Sequence, residues 1–275
     1  MKQPAYQFDR LRYVWICWTL EWAVILASGV GFHSFAGNPF FSLGVDPLQW
    51  APFLLNLPQW ISGHSGMGWL LDIGLLTGGI ALIRNPHADR LALIQLLGAL
   101  LFYTMLTGYL GHRNFHTGMF LVFVPFVFQS VQSRSLAYEA VRYFLLFFYC
   151  SAGWFKLVNG HLWDTSQMQS ILQQQLLPYY LESSSNVRVA INQYLLHHAT
   201  LAQGLYVLSF LAEFGAILGF FTRKLDRWLL VALLAFHLPN WIVMDIAPIG
   251  QLSFLLLLWI STLPKSSVKP DPDAG

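Results

Sequence analysis

The stretch YFLLFFYCSAGWFKLVNGHLW, residues Tyr143 to Trp163, is an almost unbroken run of apolar and aromatic side chains. It is long enough for a helix that crosses a bilayer, which takes about 20 residues. Lys156 stands near its end, where a hydrophobic helix would leave the membrane. An ionisable group at this position is costly, and this cost makes Lys156 a candidate functional residue. The alternative is a snorkelling lysine that marks the helix end and extends its amine into water.

The composition extends the membrane prediction to the whole chain. Of its 275 residues, 56% are hydrophobic and only 10% are charged, whereas about 25% are charged in a typical soluble domain. We therefore predict an integral membrane protein. The net charge of +2 is small, and the basic residues are scattered between apolar segments. This distribution does not support nucleic-acid binding.

Eight apolar segments are predicted to cross the membrane as helices, so the predicted fold is an all-α, polytopic membrane helical bundle. The approximate spans are Tyr13–Phe32, Met67–Ile83, Leu91–Gly111, His116–Val131, Tyr138–Val158, Ala199–Phe221, Trp228–Ile246 and Pro248–Leu263. Residues 1–263 thus form a single transmembrane bundle. The polar, proline-rich tail at residues 264–275 is predicted to be disordered and cytoplasmic.

Two of the segments that connect the spans have sequence patterns that predict their structure. Residues 33–66 contain four prolines and the tryptophans Trp50 and Trp60, and we interpret them as a re-entrant or interfacial excursion. The long loop after the fifth span contains two helical stretches, Ser166–Leu177 and Val187–His198. Pro178 and the turn signal at residues 183–186 are predicted to separate them.

The basic residues predict the orientation of the bundle. With a cytoplasmic N terminus, twelve of them fall in inner segments and three in outer segments, a strong positive-inside asymmetry. Both termini are therefore predicted to be cytoplasmic. The inner residues are Lys2, Arg10, Arg12, Arg84, Arg90, Arg134, Arg142, Arg223, Lys224, Arg227, Lys265 and Lys269, and the outer ones are Arg113, Lys156 and Arg188.

This orientation places several polar side chains at a similar depth in an outward-opening region. Asn114 and His116 begin the fourth span, Lys156 ends the fifth, and His237 and Asn240 lie along the seventh. For a single histidine, an interhelical hydrogen bond is the simpler interpretation. Asp72 falls in the outer third of its helix. Glu21 and Glu213 lie near the middle of the membrane, where they are either structural protonated groups or parts of a proton path.

Lys156 acts as a base only if its amine is partly unprotonated. Desolvation against Trp154, Phe155 and the aromatic residues upstream disfavours the ammonium form, which is how enzymes obtain a basic lysine near neutral pH. His116 would share or relay the proton. Lys156 and His116 are therefore the candidate catalytic residues. The cysteines Cys17 and Cys150 lack metal-ligand spacing, and we interpret them as buried, inert thiols rather than a metal site.

Three short motifs resemble a known family. They are Ala152-Gly153-x-x-Lys156-Leu157 followed by Trp163, Asn114-x-His116, and Phe236-His237-x-x-Asn240 followed by Ile249-Gly250-x-x-Ser253. In this order and spacing they resemble the membrane domain of vitamin K-dependent gamma-glutamyl carboxylases and their bacterial relatives, the horizontally transferred transmembrane (HTTM) domain proteins. The resemblance covers residues 66–259.

The resemblance implies a function and a set of site residues. In that family the lysine matching Lys156 is the base that deprotonates reduced vitamin K, and the histidine matching His116 supports it. The implied partner is reduced vitamin K or another lipid hydroquinone, an apolar quinone-like small molecule, within the membrane lipid of a bacterial inner membrane. The implied activity is of the carbon–carbon lyase or quinol epoxidase type. The implied substrate-binding residues are His237, Asn240, Asn114 and Trp154.

Two departures from the family limit what the resemblance implies. Phe155 stands where the carboxylases carry a second lysine, and the chain ends soon after the last span, without the large domain that presents their protein substrates. The quinol half of the chemistry is therefore better supported than the carboxylating half. The alternative is a non-catalytic membrane subunit or assembly partner of a quinone-linked redox complex, with Lys156 as a structural anchor. A transporter would show pseudo-symmetric halves, and no internal repeat is evident.

Overall fold

The computed structural model describes residues 10–37, 54–110, 118–181, 187–244 and 250–260. All regular secondary structure in these ranges is helical, which confirms the predicted all-α class. Six helical segments are long and apolar enough to cross a membrane, so the chain is a multi-pass integral membrane protein. The predictions for Trp50, Asn114, His116 and the C-terminal tail lie outside the described residues.

Most of the helices follow the predicted spans closely. In chain order they are α1 Leu11–Ala27, α2 Leu57–Ser62, α3 Ser65–Arg84, α4 Asp89–Leu110, α5 Gly118–Leu121, α6 Val131–Val158, α7 Gln167–Leu181, α8 Val187–His197, α9 Ala199–Phe214, α10 Leu218–Phe221, α11 Asp226–Met244, α12 Leu252–Leu255 and α13 Leu257–Ile260. The predicted fourth span is α5 followed by a 3-10 turn, Val124–Val127, that contains Pro125. Proline lacks an N–H group, which interrupts the α-helical hydrogen bonds there. Within the predicted eighth span, the described residues form the two short helices α12 and α13.

The main core lies around α1. Trp15, Trp18 and Trp22 are fully buried on one face of this helix, at the spacing of three and four residues that keeps side chains on one side. Their indole N–H groups donate to the backbone carbonyls of Pro86, Met119 and Asp72. A buried indole needs such an acceptor. The three tryptophans thus tie α1 to its neighbours by hydrogen bonds as well as by packing.

A second interface runs along α6, from which five residues face α9, α10 and α11. They recur at alternating spacings of four and three residues, as in the contact seam of a coiled coil, and we call them the α6 seam. They are Arg142, Leu146, Tyr149, Gly153 and Lys156. Leu146 packs on Gly219, and Gly153 lies against the backbone of Phe214. The seam therefore carries polar groups at both ends and in its middle.

Helices α7 and α8 cover the ends of α9 and α11. Arg188 and Asn192 of α8 donate to the carbonyls of Ile242 and Val243 in the last turn of α11. The predicted helix end before Pro178 is wrong, because α7 continues to Leu181. A proline removes the hydrogen bond of its own nitrogen, and the helix continues here for less than one further turn. The predicted turn at residues 183–186 lies outside the described residues.

Candidate functional site

Lys156 is paired inside the bundle. Its Nζ lies 2.6 Å from Oε2 of Glu213 on α9 and donates a hydrogen bond of 3.1 Å to Oγ of Ser209. The rings of Tyr206 and Phe236 lie 5.2 and 5.7 Å from the amine, within the range of a cation–π contact. The Lys156 side chain is 19% exposed, and that of Glu213 is 8% exposed. The amine therefore sits between α9 and α11 with an opposite charge beside it.

The amine lies deeper in the bundle than the sequence predicts. Its partners Ser209 and Glu213 follow Ala199, the first residue of their span, by 10 and 14 residues, or roughly 15 and 21 Å along a helix. Side chains on a helix point toward its N terminus. For Lys156 this direction leads back into the bundle. It is opposite to the direction of a snorkelling lysine.

Trp154 does not line the site. It is 56% exposed, and Phe155 is also exposed. Because each helical residue is rotated by about 100° from the last, both side chains leave α6 on faces other than that of Lys156. The predicted desolvation of Lys156 by these two residues is therefore wrong. The rings that cover the amine are those of Tyr206 and Phe236.

His237 forms a second polar pair close to the first. Its Nε2 is joined to the hydroxyl of Tyr149 by a hydrogen bond of 2.6 Å. Tyr149 lies two helical turns before Lys156 on the α6 seam and close enough to Glu213 for an electrostatic interaction. His237 follows Phe236 directly in α11, so the two pairs are neighbours. Asn240 is half-buried one turn further along α11.

Tyr149 and Glu213 are the residues that the sequence analysis did not assign to the site. Tyr149 was hidden in an aromatic run, and the available signal was its spacing of seven residues from Lys156. This spacing places both on one helix face. In the sequence, Glu213 is an isolated acidic residue within a predicted span. Its position opposite Lys156 depends on how α6 and α9 pack, which no local pattern specifies.

Asp72 and Glu21 have structural roles at other helix contacts. The buried carboxylate of Asp72 accepts hydrogen bonds from the backbone N–H of Phe32 and from both the backbone N–H and Nδ1 of His33. It therefore holds the turn after α1 against α3. The carboxylate of Glu21 accepts a hydrogen bond of 2.8 Å from the N–H of Leu252, which anchors the start of α12. The predicted common region thus contains Glu213, and Glu21 lies close enough to Tyr149 for an electrostatic interaction, whereas Asp72 serves the turn after α1.

A buried ion pair lies at the other end of the α6 seam. Nε of Arg142 donates to Oδ2 of Asp226 at 2.8 Å and its NH2 donates to Oδ1 at 2.6 Å, a bidentate contact. The same NH2 group donates to the carbonyl of Gly219. Both side chains are at most 1% exposed. Arg142 is predicted to lie in an inner segment, whereas the structure buries it where α6, α10 and α11 meet.

The site offers four groups that can transfer protons: an amine, a carboxylate, a phenol and an imidazole. Within the described ranges, no three histidine, cysteine or acidic side chains lie close enough together to hold a metal ion. Cys17 and Cys150 are half-buried free thiols. Proton transfer is thus the chemistry for which these side chains are suited.

Comparison of the chain with models of protein families, with curated proteins and with solved structures gives no match. The resemblance to the carboxylase membrane domain therefore remains a hypothesis based on motifs. The class that the fold and site define is a polytopic helical membrane protein with a buried acid–base cluster. We use the term acid–base cluster for the four residues Lys156, Glu213, Tyr149 and His237.

Proposed function

We propose that the chain is a membrane enzyme that removes a proton from an apolar hydroquinone-type substrate, with Lys156 as the base. The observation that carries this proposal is the ion pair of 2.6 Å between Lys156 and Glu213, within membrane-spanning helices and beside two aromatic rings. A base in a largely water-excluded position is effective because the charges around it are weakly screened. The proposed substrate class includes reduced vitamin K.

The side chains around the amine fit this class of substrate. A hydroquinone has a flat apolar ring and two hydroxyl groups, and when bound it supplies weakly acidic protons. Tyr206 and Phe236 would provide apolar contacts for the ring, and Lys156 would accept a proton from one oxygen. Tyr149 and His237 would provide hydrogen bonds for a polar group next to it. The proposed activity is this proton transfer alone, without the carboxylating step of the family that the motifs resemble.

Binding of 1,4-dihydroxynaphthalene to the purified protein in lipid nanodiscs tests the proposal. Lys156→Met is expected to weaken binding about 10-fold or more, because a hydrogen bond to a charged group contributes about 1.5–3 kcal/mol. The measurement is a dissociation constant from fluorescence titration under anaerobic conditions. Trp154→Leu is the matched control, since Trp154 is on the same helix but faces outward. It is expected to bind as the wild type does.

A lone Lys156→Met change leaves the Glu213 carboxylate buried without a partner, which destabilises a protein. The double variant Lys156→Met/Glu213→Gln removes both charges and separates loss of binding from loss of folding. Equal dissociation constants for the wild type and a folded double variant would contradict the role of Lys156.

A second candidate function is a non-catalytic subunit in which Lys156 is a structural anchor. The observation that favours it is that the amine is already surrounded by a carboxylate, a hydroxyl and two rings. Such an ion pair also occurs as a purely structural link between helices. This candidate predicts no hydroquinone binding and unchanged assembly with a partner complex in the double variant.

We also propose that both termini are cytoplasmic, in the inner membrane of a bacterium. Support comes from three ion pairs that bring charged residues together near the helix ends opposite Lys156 on α6: Arg134–Asp89, Arg142–Asp226 and Arg223–Glu139. A green fluorescent protein fused to the C terminus is expected to fluoresce, whereas alkaline phosphatase there is expected to be inactive. Insertion of the two reporters after the exposed Asp164 should reverse the pattern, and the opposite result would invert the proposed topology.

A further inference from the structure

We infer that Glu213 is a positioning residue that takes the proton of Lys156 when a bound apolar ligand excludes water, so that the ion pair becomes a neutral amine beside a neutral carboxylic acid. This inference rests on the proposed function. Glu213 performs the step that makes Lys156 a base, and this step occurs only when the ligand is bound.

The two groups are close enough for a direct transfer. Nζ and Oε2 lie 2.6 Å apart, so the amine and the carboxylate are in contact, although their angles do not meet those of a hydrogen bond. Oε2 of Glu213 is completely enclosed by protein, so water cannot compete with the amine there. Ser209 orients the amine from another side, because Nζ donates to its Oγ while the hydroxyl donates to the carbonyl of Tyr206.

Exposure explains why the transfer would require a ligand. The Lys156 side chain retains 19% exposure, and any water that reaches this surface favours the ion pair because it solvates the ammonium group. A ligand that covers this remaining surface lowers the local dielectric. Isolated or poorly solvated charges are then strongly disfavoured relative to neutral groups.

The step balances without an oxidant or another reactant. One proton moves from Nζ of Lys156 to Oε2 of Glu213, which leaves a neutral amine and a neutral acid. The amine then accepts a proton from the substrate hydroxyl. The products are the substrate oxyanion, the Lys156 ammonium and protonated Glu213, with the same number of protons and the same total charge as at the start.

The other carboxylates near the core are not suited to this role. Asp72 accepts hydrogen bonds from Phe32 and His33, and Glu21 accepts them from the amides at the start of α12. Asp226 is bound by Arg142 through two hydrogen bonds. Glu213 is the carboxylate that the structure places in an ion pair with Lys156. A ligand-dependent change at a carboxyl group should therefore map to Glu213.

Infrared difference spectroscopy of the protein in nanodiscs, with and without 1,4-dihydroxynaphthalene, tests the inference. We expect ligand binding to produce the C=O stretching band of a protonated carboxylic acid, which shifts in D2O. The band should be absent from Glu213→Gln and present in Glu21→Gln, which alters another buried carboxylate. A merely structural ion pair would not give this ligand-dependent band.

The outcomes separate this inference from the proposed function. Tight ligand binding without a new carboxylic acid band overturns the inference and leaves the proposed function standing. A band that persists in Glu213→Gln also overturns it, because another group then takes the proton. Absence of ligand binding defeats both. If Glu213→Gln fails to fold, the double variant Lys156→Met/Glu213→Gln provides the folded protein without the pair, and at a ligand concentration that saturates this variant the band must be absent.

Discussion

Replacing Arg142 with alanine is expected to lower the free energy of unfolding by about 3–5 kcal/mol. The change leaves the carboxylate of Asp226, which is fully buried, without the guanidinium that binds it through two hydrogen bonds. It also leaves the carbonyl of Gly219 without this donor. Denaturation of the purified protein in detergent, followed by circular dichroism, measures the loss.

Two further variants separate the cost of the unpaired charge from the loss of the ion pair itself. Arg142→Leu/Asp226→Leu removes both charges and is expected to recover most of the stability, because the cost comes from the unpaired charge and not from the loss of the pair. Arg223→Ala removes the neighbouring contact with Glu139, which is partly exposed, and is expected to cost about 1 kcal/mol or less. Equal decreases in the free energy of unfolding for Arg142→Ala and Arg223→Ala would contradict the larger contribution expected of the buried pair.

Replacing Gly153 with alanine is expected to destabilise the protein by about 2–3 kcal/mol, in the upper part of the range for overpacking. A Cβ atom at this position would lie 2.8 Å from the backbone nitrogen and 2.9 Å from Cα of Phe214. Backbone atoms cannot rotate away as a side chain does, so α6 and α9 would have to separate. Thermal denaturation in detergent measures the effect.

Gly204 provides the matched control for Gly153. It lies on α9, in another membrane-spanning helix, and a Cβ atom there would meet nothing within 4 Å. Gly204→Ala is expected to leave stability unchanged or to raise it slightly, because alanine favours a helix more than glycine does. Separation of α6 and α9 in Gly153→Ala should also weaken hydroquinone binding, since Lys156 and Glu213 lie on these two helices. Similar stabilities for the two variants would show that the close contact at Gly153 is not required.

The two predictions concern the same interface. Arg142 and Gly153 both belong to the α6 seam, which continues to Lys156. At one end of the seam a buried ion pair holds α6 to the start of α11, and at the other end the Lys156–Glu213 pair holds it to α9. A change that moves α6 therefore affects the fold and the acid–base cluster together.

The membrane class and six of the long helices could be predicted because they depend on local properties. A run of about 20 apolar residues must satisfy its backbone hydrogen bonds internally within a bilayer, and a helix does so. The interrupted spans were harder to predict. Apolar composition alone did not reveal the break that Pro125 introduces after α5 or the division between α12 and α13.

The candidate site was only partly predictable. An unusual lysine and histidine within apolar segments were recognisable because buried ionisable groups are costly, and the structure places both in neighbouring polar pairs. Their partners were not recognisable. Trp154 is adjacent to Lys156 in the sequence but faces outward, whereas Glu213 is 57 residues away along the chain and lies 2.6 Å from the amine.

By itself, the sequence determined that this protein is a helical membrane bundle with a few ionisable groups among its apolar residues. The reason is that membrane insertion of a segment depends on the summed hydrophobicity of its consecutive residues. Only the tertiary structure decided which of these groups are paired. Whether Lys156 meets water, an aromatic ring or a carboxylate depends on the rotation and depth of α6 against α9 and α11. These are set by contacts such as Gly153 on Phe214 and Arg142 on Asp226 between residues far apart in the chain.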